Sequence, residues 1–181
     1  IHSLIYLAFL GRLILSLFTV IVYNAFPGSD LALGLIDKNN AFVAVVHDLL
    51  GLFIIIGVIW ALIKRFVVKS PHLLSEEQDT LALIIIGILV LAGFALEGAR
   101  ILVTQIPANM AAYSFVGFIL SKCFSIIPFG WQSFYVLLWY VHVLVWAVFL
   151  IYLPFGKLKH IIFTPLNLII SSARSEERRV G

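Results

Sequence analysis

Long apolar runs separated by short polar breaks dominate the sequence. A helix that crosses the ~30 Å hydrocarbon layer of a bilayer needs about 20 mainly apolar residues. Each break contains proline and polar residues, which favour turns and loops. The pattern therefore predicts membrane-spanning helices at about Leu4–Tyr23, Phe42–Ile63, Leu81–Thr104 and Trp131–Leu153.

A further apolar stretch, Tyr113–Ile127, is short for a span and contains Lys122. Basic residues of short loops favour the cytoplasmic side of a membrane. They concentrate in the loop after the second span and in the C-terminal part, at Lys64, Arg65, Lys69, Lys157 and Lys159. An even number of crossings must separate these two segments, so Tyr113–Ile127 is predicted to be a helix at the outer interface. The expected fold is all-α, a four-helix transmembrane bundle in the cytoplasmic (inner) membrane with a cytoplasmic C-terminus.

Composition supports the bilayer as the solvent of this chain. Hydrophobic residues make up 62% of its 181 positions and charged residues 12%, and the mean hydropathy is +1.12. This balance excludes a water-soluble domain and gives no sign of a nucleic-acid partner. The single Cys123 excludes a cysteine-rich iron–sulfur or zinc site within the chain.

The two ends of the sequence differ in character from the rest. The chain begins at Ile1, and the polar string RSEERRVG at its end follows an apolar segment. That string matches the in-frame translation of a common sequencing adapter. We expect a transmembrane domain over residues 1–173, truncated at both ends, and a non-native tail over residues 174–181. A genuine polar tail is the alternative.

Histidines lie in or near the ends of the predicted spans. Two neutral imidazoles at matched depths on facing helices can ligate a haem iron that transfers electrons. His142 and His160 are eighteen residues apart, which is about 27 Å and five turns along one helix. The helical rise places His2 and His160 at the cytoplasmic face, and His47 and His142 in the outer half. A polar residue at a helix end is the simpler interpretation of each, and it is the preferred one for His72.

Ionisable residues inside a bilayer are costly and call for partners. Glu97 and Arg100 are three residues apart and can pair with each other. Asp48 and Glu97 lie near the outer ends of their spans, which suits proton release outward or, equally, a structural ion-pair cluster. Arg12 lies near the middle of its span and is a candidate partner for a haem propionate, or it extends to the membrane surface.

The run HVLVWAVFLIYLPFGKLKHIIFTPLNLI, from His142 to Ile169, resembles the last helix of the cytochrome b (gamma) subunit of respiratory nitrate reductase. Gly156 stands where that family usually has serine. Three other segments, IHSLIYLAFLGR, IKRFVVKSPHL and SFVGFILSKCF, resemble its first haem helix, its basic cytoplasmic loop and its outer interfacial segment. The resemblance covers nearly all of residues 1–173 and implies a haem-binding bundle.

Carried over residue by residue, the resemblance implies that His2 and His160 ligate the inner haem. His142 matches one ligand of the outer haem. Arg12 stands where the second outer ligand is expected, and arginine cannot lose its proton to coordinate iron. Either the outer haem is absent, or another residue replaces the ligand, and His47 is the proposed substitute.

The departure at Arg12 and the run LAGFALEGARI resemble more closely the heterodisulfide-reductase-type and sulfite-reduction-associated cytochrome b subunits. These relatives pass electrons between menaquinol and a cytoplasmic iron–sulfur domain that is sometimes fused after the last helix. The resemblance implies one or two haems b, a quinone substrate and an iron–sulfur partner outside this chain.

Under this interpretation the candidates for quinone binding and proton transfer are Asp48, Glu97 and Arg100, and His47 with Asp48 could accept protons from a quinol. The chain would be an electron-transfer part of a quinol-linked oxidoreductase. A haem-free membrane anchor and a small transporter are the alternatives. A transporter would favour internal repeats, which the sequence does not show.

Overall fold

The computed structural model describes residues 2–68, 77–152 and 167. His72, His160 and the predicted tail at 174–181 lie outside the described residues, as does the side chain of His2. The all-α prediction is confirmed, since every regular element of the described part is a helix. In chain order the helices are α1 His2–Ala25, α2 Asp30–Ile36, α3 Ala41–Phe66, α4 Glu77–Thr104, α5 Ala108–Ala111, α6 Phe115–Ser125 and α7 Trp131–Tyr152.

Four helical segments are long and apolar enough to cross a membrane: Ser3–Ala25, Asp30–Phe66, Thr80–Thr104 and Trp131–Ile151. They contain the four predicted spans, apart from Tyr152 and Leu153 at the end of the last one, and Leu153 is not described. Large apolar side chains point away from the bundle on all four, among them Leu7, Ile56, Leu91 and Leu144, each more than half exposed. Lipid is the solvent that accepts such a surface. The chain is a multi-pass membrane protein.

The long helices pack in chain order, α1 on α3, α3 on α4 and α4 on α7. Phe9 of α1 closes the bundle, because its ring lies 6.2 Å from that of Trp146 and 6.1 Å from that of Phe149, both on α7. Ile54 of α3 and Leu89 of α4 belong to the same buried core. The bundle interior is therefore apolar at the level of this core.

The break between the first two spans contains α2, which the sequence pattern did not predict. Ser29 caps its N-terminus by accepting a hydrogen bond from the backbone N–H of Ala32. Gly28 precedes it with a φ of 85°, a conformation that glycine adopts at little cost. Asn40 then caps α3 in the same way through the N–H groups of Phe42 and Val43. These caps turn the chain back towards the bundle.

The predicted short helix at Tyr113–Ile127 is confirmed as α6, with bounds two residues shorter at each end. Its 11 residues reach only about 16 Å, too little to span the bilayer. Helix α6 packs closely on α4. A Cβ built on Gly98 would lie 2.8 Å from Cβ of Leu120 and 3.2 Å from the carbonyl oxygen of Gly117. The two helices approach each other through these glycines.

Candidate functional site

One cavity brings together six of the eight residues that the sequence singled out. It has a volume of about 620 Å³ and lies among α1, α3, α4 and α7. This size falls in the range of ~300–1,000 Å³ that is usual for ligand and cofactor sites. Its polar lining includes Arg12, His47, Asp48, Glu97, Arg100 and His142. The other two, His2 and His160, are not described at the side-chain level.

His142 is half-buried on α7, and both nitrogens of its ring have defined surroundings. The indole Nε1–H of Trp146, one turn further along, donates a hydrogen bond of 3.1 Å to Nε2 of His142. Nδ1 is buried and has no hydrogen-bond partner in the described part of the chain. Since Nε2 accepts a hydrogen bond, the proton of the neutral ring is assigned to Nδ1.

Arg12, His47 and His142 line the same cavity from α1, α3 and α7. A Cβ built on Gly51 would lie 3.2 Å from Nη1 of Arg12 and 2.6 Å from the ring of Phe94. A Cβ on Gly93 would lie 3.6 Å from Cε1 of His142. His47 precedes Gly51 by four residues, or about 6 Å of helix. The two histidines thus share a cavity, and Arg12 lies against α3 one turn along from His47.

The predicted pairing of Glu97 with Arg100 is confirmed. Nη2 and Nε of Arg100 donate hydrogen bonds of 2.7 and 2.9 Å to the two carboxylate oxygens of Glu97. Nη2 and Nη1 of the same guanidinium group also donate hydrogen bonds of 3.1 and 3.2 Å to Oδ1 of Asn39. Asn39 lies in the connection between α2 and α3. The ion pair therefore fastens this connection to α4 at the cavity wall.

Asp48 joins α3 to α6. Its side chain is buried, and Oδ2 accepts a hydrogen bond of 2.8 Å from the backbone N–H of Val116 in the first turn of α6. A carboxylate is favourable beside a helix N-terminus because the unpaired N–H groups there carry partial positive charge. Asp48 lines the cavity and at the same time holds α6 in place.

We expect Asp48→Ala to destabilise the protein by about 1–3 kcal/mol, because the half-buried backbone N–H of Val116 in α6 loses its acceptor. Asp48→Asn keeps an oxygen acceptor and should lose less. Thermal unfolding in detergent measures both effects, with Asp30→Ala as the control at an exposed aspartate. An unchanged unfolding temperature in Asp48→Ala would show that the hydrogen bond contributes nothing to stability.

Positive charge predominates on the cavity side of α1 and the α2–α3 connection. Arg12 is half-buried, and Lys38 lines the same cavity. Neither forms an ion pair within 4 Å with a residue that the structure describes. The acidic neighbours of Arg12, Asp48 and Glu97, already bind Val116 and Arg100. The cavity therefore offers two cations to an anionic or electron-rich ligand.

The chain is 26% identical over 157 residues to the probable iron–sulfur-binding oxidoreductase FadF of Bacillus subtilis (strain 168). It is similar to a segment of an oxidoreductase. The match covers 86% of this chain and 21% of FadF, so the chain spans about one fifth of the length of that relative. No family model matches the sequence, and no solved structure matches it. The similarity and the four apolar helices fit a membrane part of an oxidoreductase complex.

Sequence reasoning missed the residues that position the histidines and charges. Trp146 follows His142 by four residues, and this spacing alone places the two side chains on one helix face. Gly93 gives no such signal, because its role depends on α7 lying opposite. Asn39 and Val116 act through contacts with residues 61 and 68 positions away, which no local pattern reveals.

Proposed function

We propose that the chain is the membrane cytochrome b part of an oxidoreductase, which passes electrons between a quinol and a cytoplasmic iron–sulfur partner. The observation that carries this proposal is the cavity in which His142 and His47, from two different helices, lie with Arg12. The similarity to an iron–sulfur-binding oxidoreductase supports the redox class. The resemblance of residues 142–169 to the nitrate reductase gamma subunit supports the cofactor.

The donor set of the cavity fits a haem b on the His142 side. Iron ligation needs an imidazole lone pair, and the hydrogen bond from Trp146 assigns that lone pair to Nε2 of His142. The facing helix carries Gly93, whose lack of a side chain lets α4 lie close to the ring, since a Cβ there would be 3.6 Å from Cε1 of His142. Haem, when bound, supplies one-electron redox chemistry that no side chain here provides. His142 would hold it from α7.

The opposite side of this site is where the chain departs from a bis-histidine arrangement. Arg12 lines the same cavity as His142, and its guanidinium group would bind a haem propionate rather than iron. His47 lines the same cavity from α3. We keep His47 as the second ligand of an outer haem in this proposal, and the alternative is that it accepts a proton from quinol.

The ion-pair wall of the cavity suits the quinol. Arg100 holds the Glu97 carboxylate at the edge of the cavity, and Asp48 lies opposite on α3. Quinol oxidation releases protons, and these carboxylates could accept them near the predicted outer face. Both acids already have partners, since one oxygen of Asp48 binds Val116 and both oxygens of Glu97 bind Arg100.

His2 and His160 remain the proposed ligands of an inner haem. His2 begins α1, at the end of the bundle opposite the connection to α2. The basic residues Lys64 and Arg65 in the last turn of α3 lie at the same end, which we assign to the cytoplasm. The iron–sulfur partner would bind there, as a separate subunit or as a fused domain, in a protein of the inner membrane.

We expect the intact protein, purified in detergent and reduced with dithionite, to show the α-band of a b-type cytochrome. Addition of a menaquinol analogue should reduce the haem and so produce the same band, because the proposed quinol residues line the same cavity. Membranes from cells that lack the gene serve as the control. A purified protein without this band would contradict the proposal and leave a haem-free anchor of a reductase as its function.

A further inference from the structure

Trp146 forms a hydrogen bond with the nitrogen of His142 that would ligate iron. The indole N–H can only donate, so Nε2 of His142 must be the acceptor at 3.1 Å. Nδ1 of the same ring is buried without a partner in the described part. Trp146 therefore fixes the ring in one tautomer and covers the only lone pair that this tautomer has.

An iron ion needs the same lone pair. A hydrogen bond from Trp146 and a coordinate bond to iron both use the electrons of Nε2, so they cannot coexist. We propose that Trp146 is a positioning residue that acts as a latch on His142. Its hydrogen bond fixes the tautomer of the ligand before haem binds, and this hydrogen bond must break when haem binds. This inference rests on the proposed function, since it concerns how the same cavity is loaded.

The surroundings of Trp146 allow it to act in this way. The residue is half-buried and lines the cavity. Its ring is nearly parallel to that of Phe9 at 6.2 Å and edge-on to that of Phe149 at 5.7 Å. These are ring–ring packing contacts, and neither of them involves the indole N–H. The hydrogen bond to His142 is thus its one directional contact in the described part.

The test is a titration of haem-free protein with ferric haem, followed by the Soret band. Trp146→Phe keeps an aromatic ring and removes the competing N–H. We expect it to bind ferric haem roughly fivefold more tightly than the wild type, the factor that corresponds to one neutral hydrogen bond of about 1 kcal/mol. Trp60→Phe is the matched control, because Trp60 is exposed on α3 and does not line the cavity.

A second readout needs no haem. The ¹⁵N chemical shifts of the His142 ring report its tautomer, and we expect a single Nδ1–H form in the wild type and a mixture in Trp146→Phe. If Trp146→Phe binds ferric haem no more tightly than the wild type, or leaves the tautomer unchanged, the latch is overturned while haem binding stands. If no variant binds ferric haem, the proposed function fails together with the latch.

Discussion

His142→Ala is expected to abolish binding of the proposed outer haem in the cavity lined by His142. Alanine offers iron no lone pair, and of the described histidines only His47 would remain in the cavity. Changes in residues that merely orient a metal ligand often lower metal affinity ~10–100-fold, so loss of the ligand itself should exceed that range. The measurement is haem content per chain together with the reduced α-band, which should lose the outer contribution.

His47→Ala, tested beside it, distinguishes the two roles proposed for His47. If the wild type binds two haems and His47→Ala loses one, His47 is the second outer ligand. One haem per chain in the wild type would remove His47 from the ligands. His72→Ala is the control, since that residue is not assigned to either haem. Unchanged haem content in His142→Ala would contradict the proposed site.

Gly98→Ala is expected to lower stability by about 1–3 kcal/mol, the usual effect of overpacking. The new methyl carbon would lie 2.8 Å from Cβ of Leu120. Cβ cannot rotate away as the end of a side chain can, so α6 itself has to move. The displacement would also strain the hydrogen bond from Val116 to Asp48. Thermal unfolding in detergent measures the loss.

Gly11→Ala provides the matched control in another long helix. Its Cβ would lie 3.5 Å from Cδ2 of Leu50, an ordinary contact. Alanine also favours helix over glycine by about 1 kcal/mol, so this variant should be at least as stable as the wild type. Equal stability of Gly98→Ala and the wild type would mean that α6 does not depend on the close approach to α4.

The membrane spans could be predicted from sequence because each depends only on a local run of apolar residues. The short length of α6 was also visible, since Lys122 and the flanking prolines limit it. Helix α2 was missed because its seven residues form part of a turn-rich break. Its formation depends on the cap at Ser29 and on packing against α1, and hydropathy detects neither.

The residues of the site could be predicted from the sequence, but their geometry could be predicted only in part. Helical rise placed His47 and His142 in one half of the bundle, and the spacing of Glu97 and Arg100 predicted their ion pair. The role of Asp48 was not predictable, because its partner Val116 is 68 residues away. The meeting of His47 and His142 in one cavity also depends on how the helices pack, which sequence spacing within each helix does not determine.

Arg12 has a consequence for how the chain enters the membrane. One arginine at the centre of a span disfavours insertion by about 2.5–3.5 kcal/mol. In the bundle its guanidinium group lies against Gly51 of α3 and near Asp48 and Glu97. None of these neighbours has been synthesised when α1 leaves the ribosome. We therefore expect α1 to wait beside the translocon until α3 emerges, and the two helices to pass into lipid together as a hairpin.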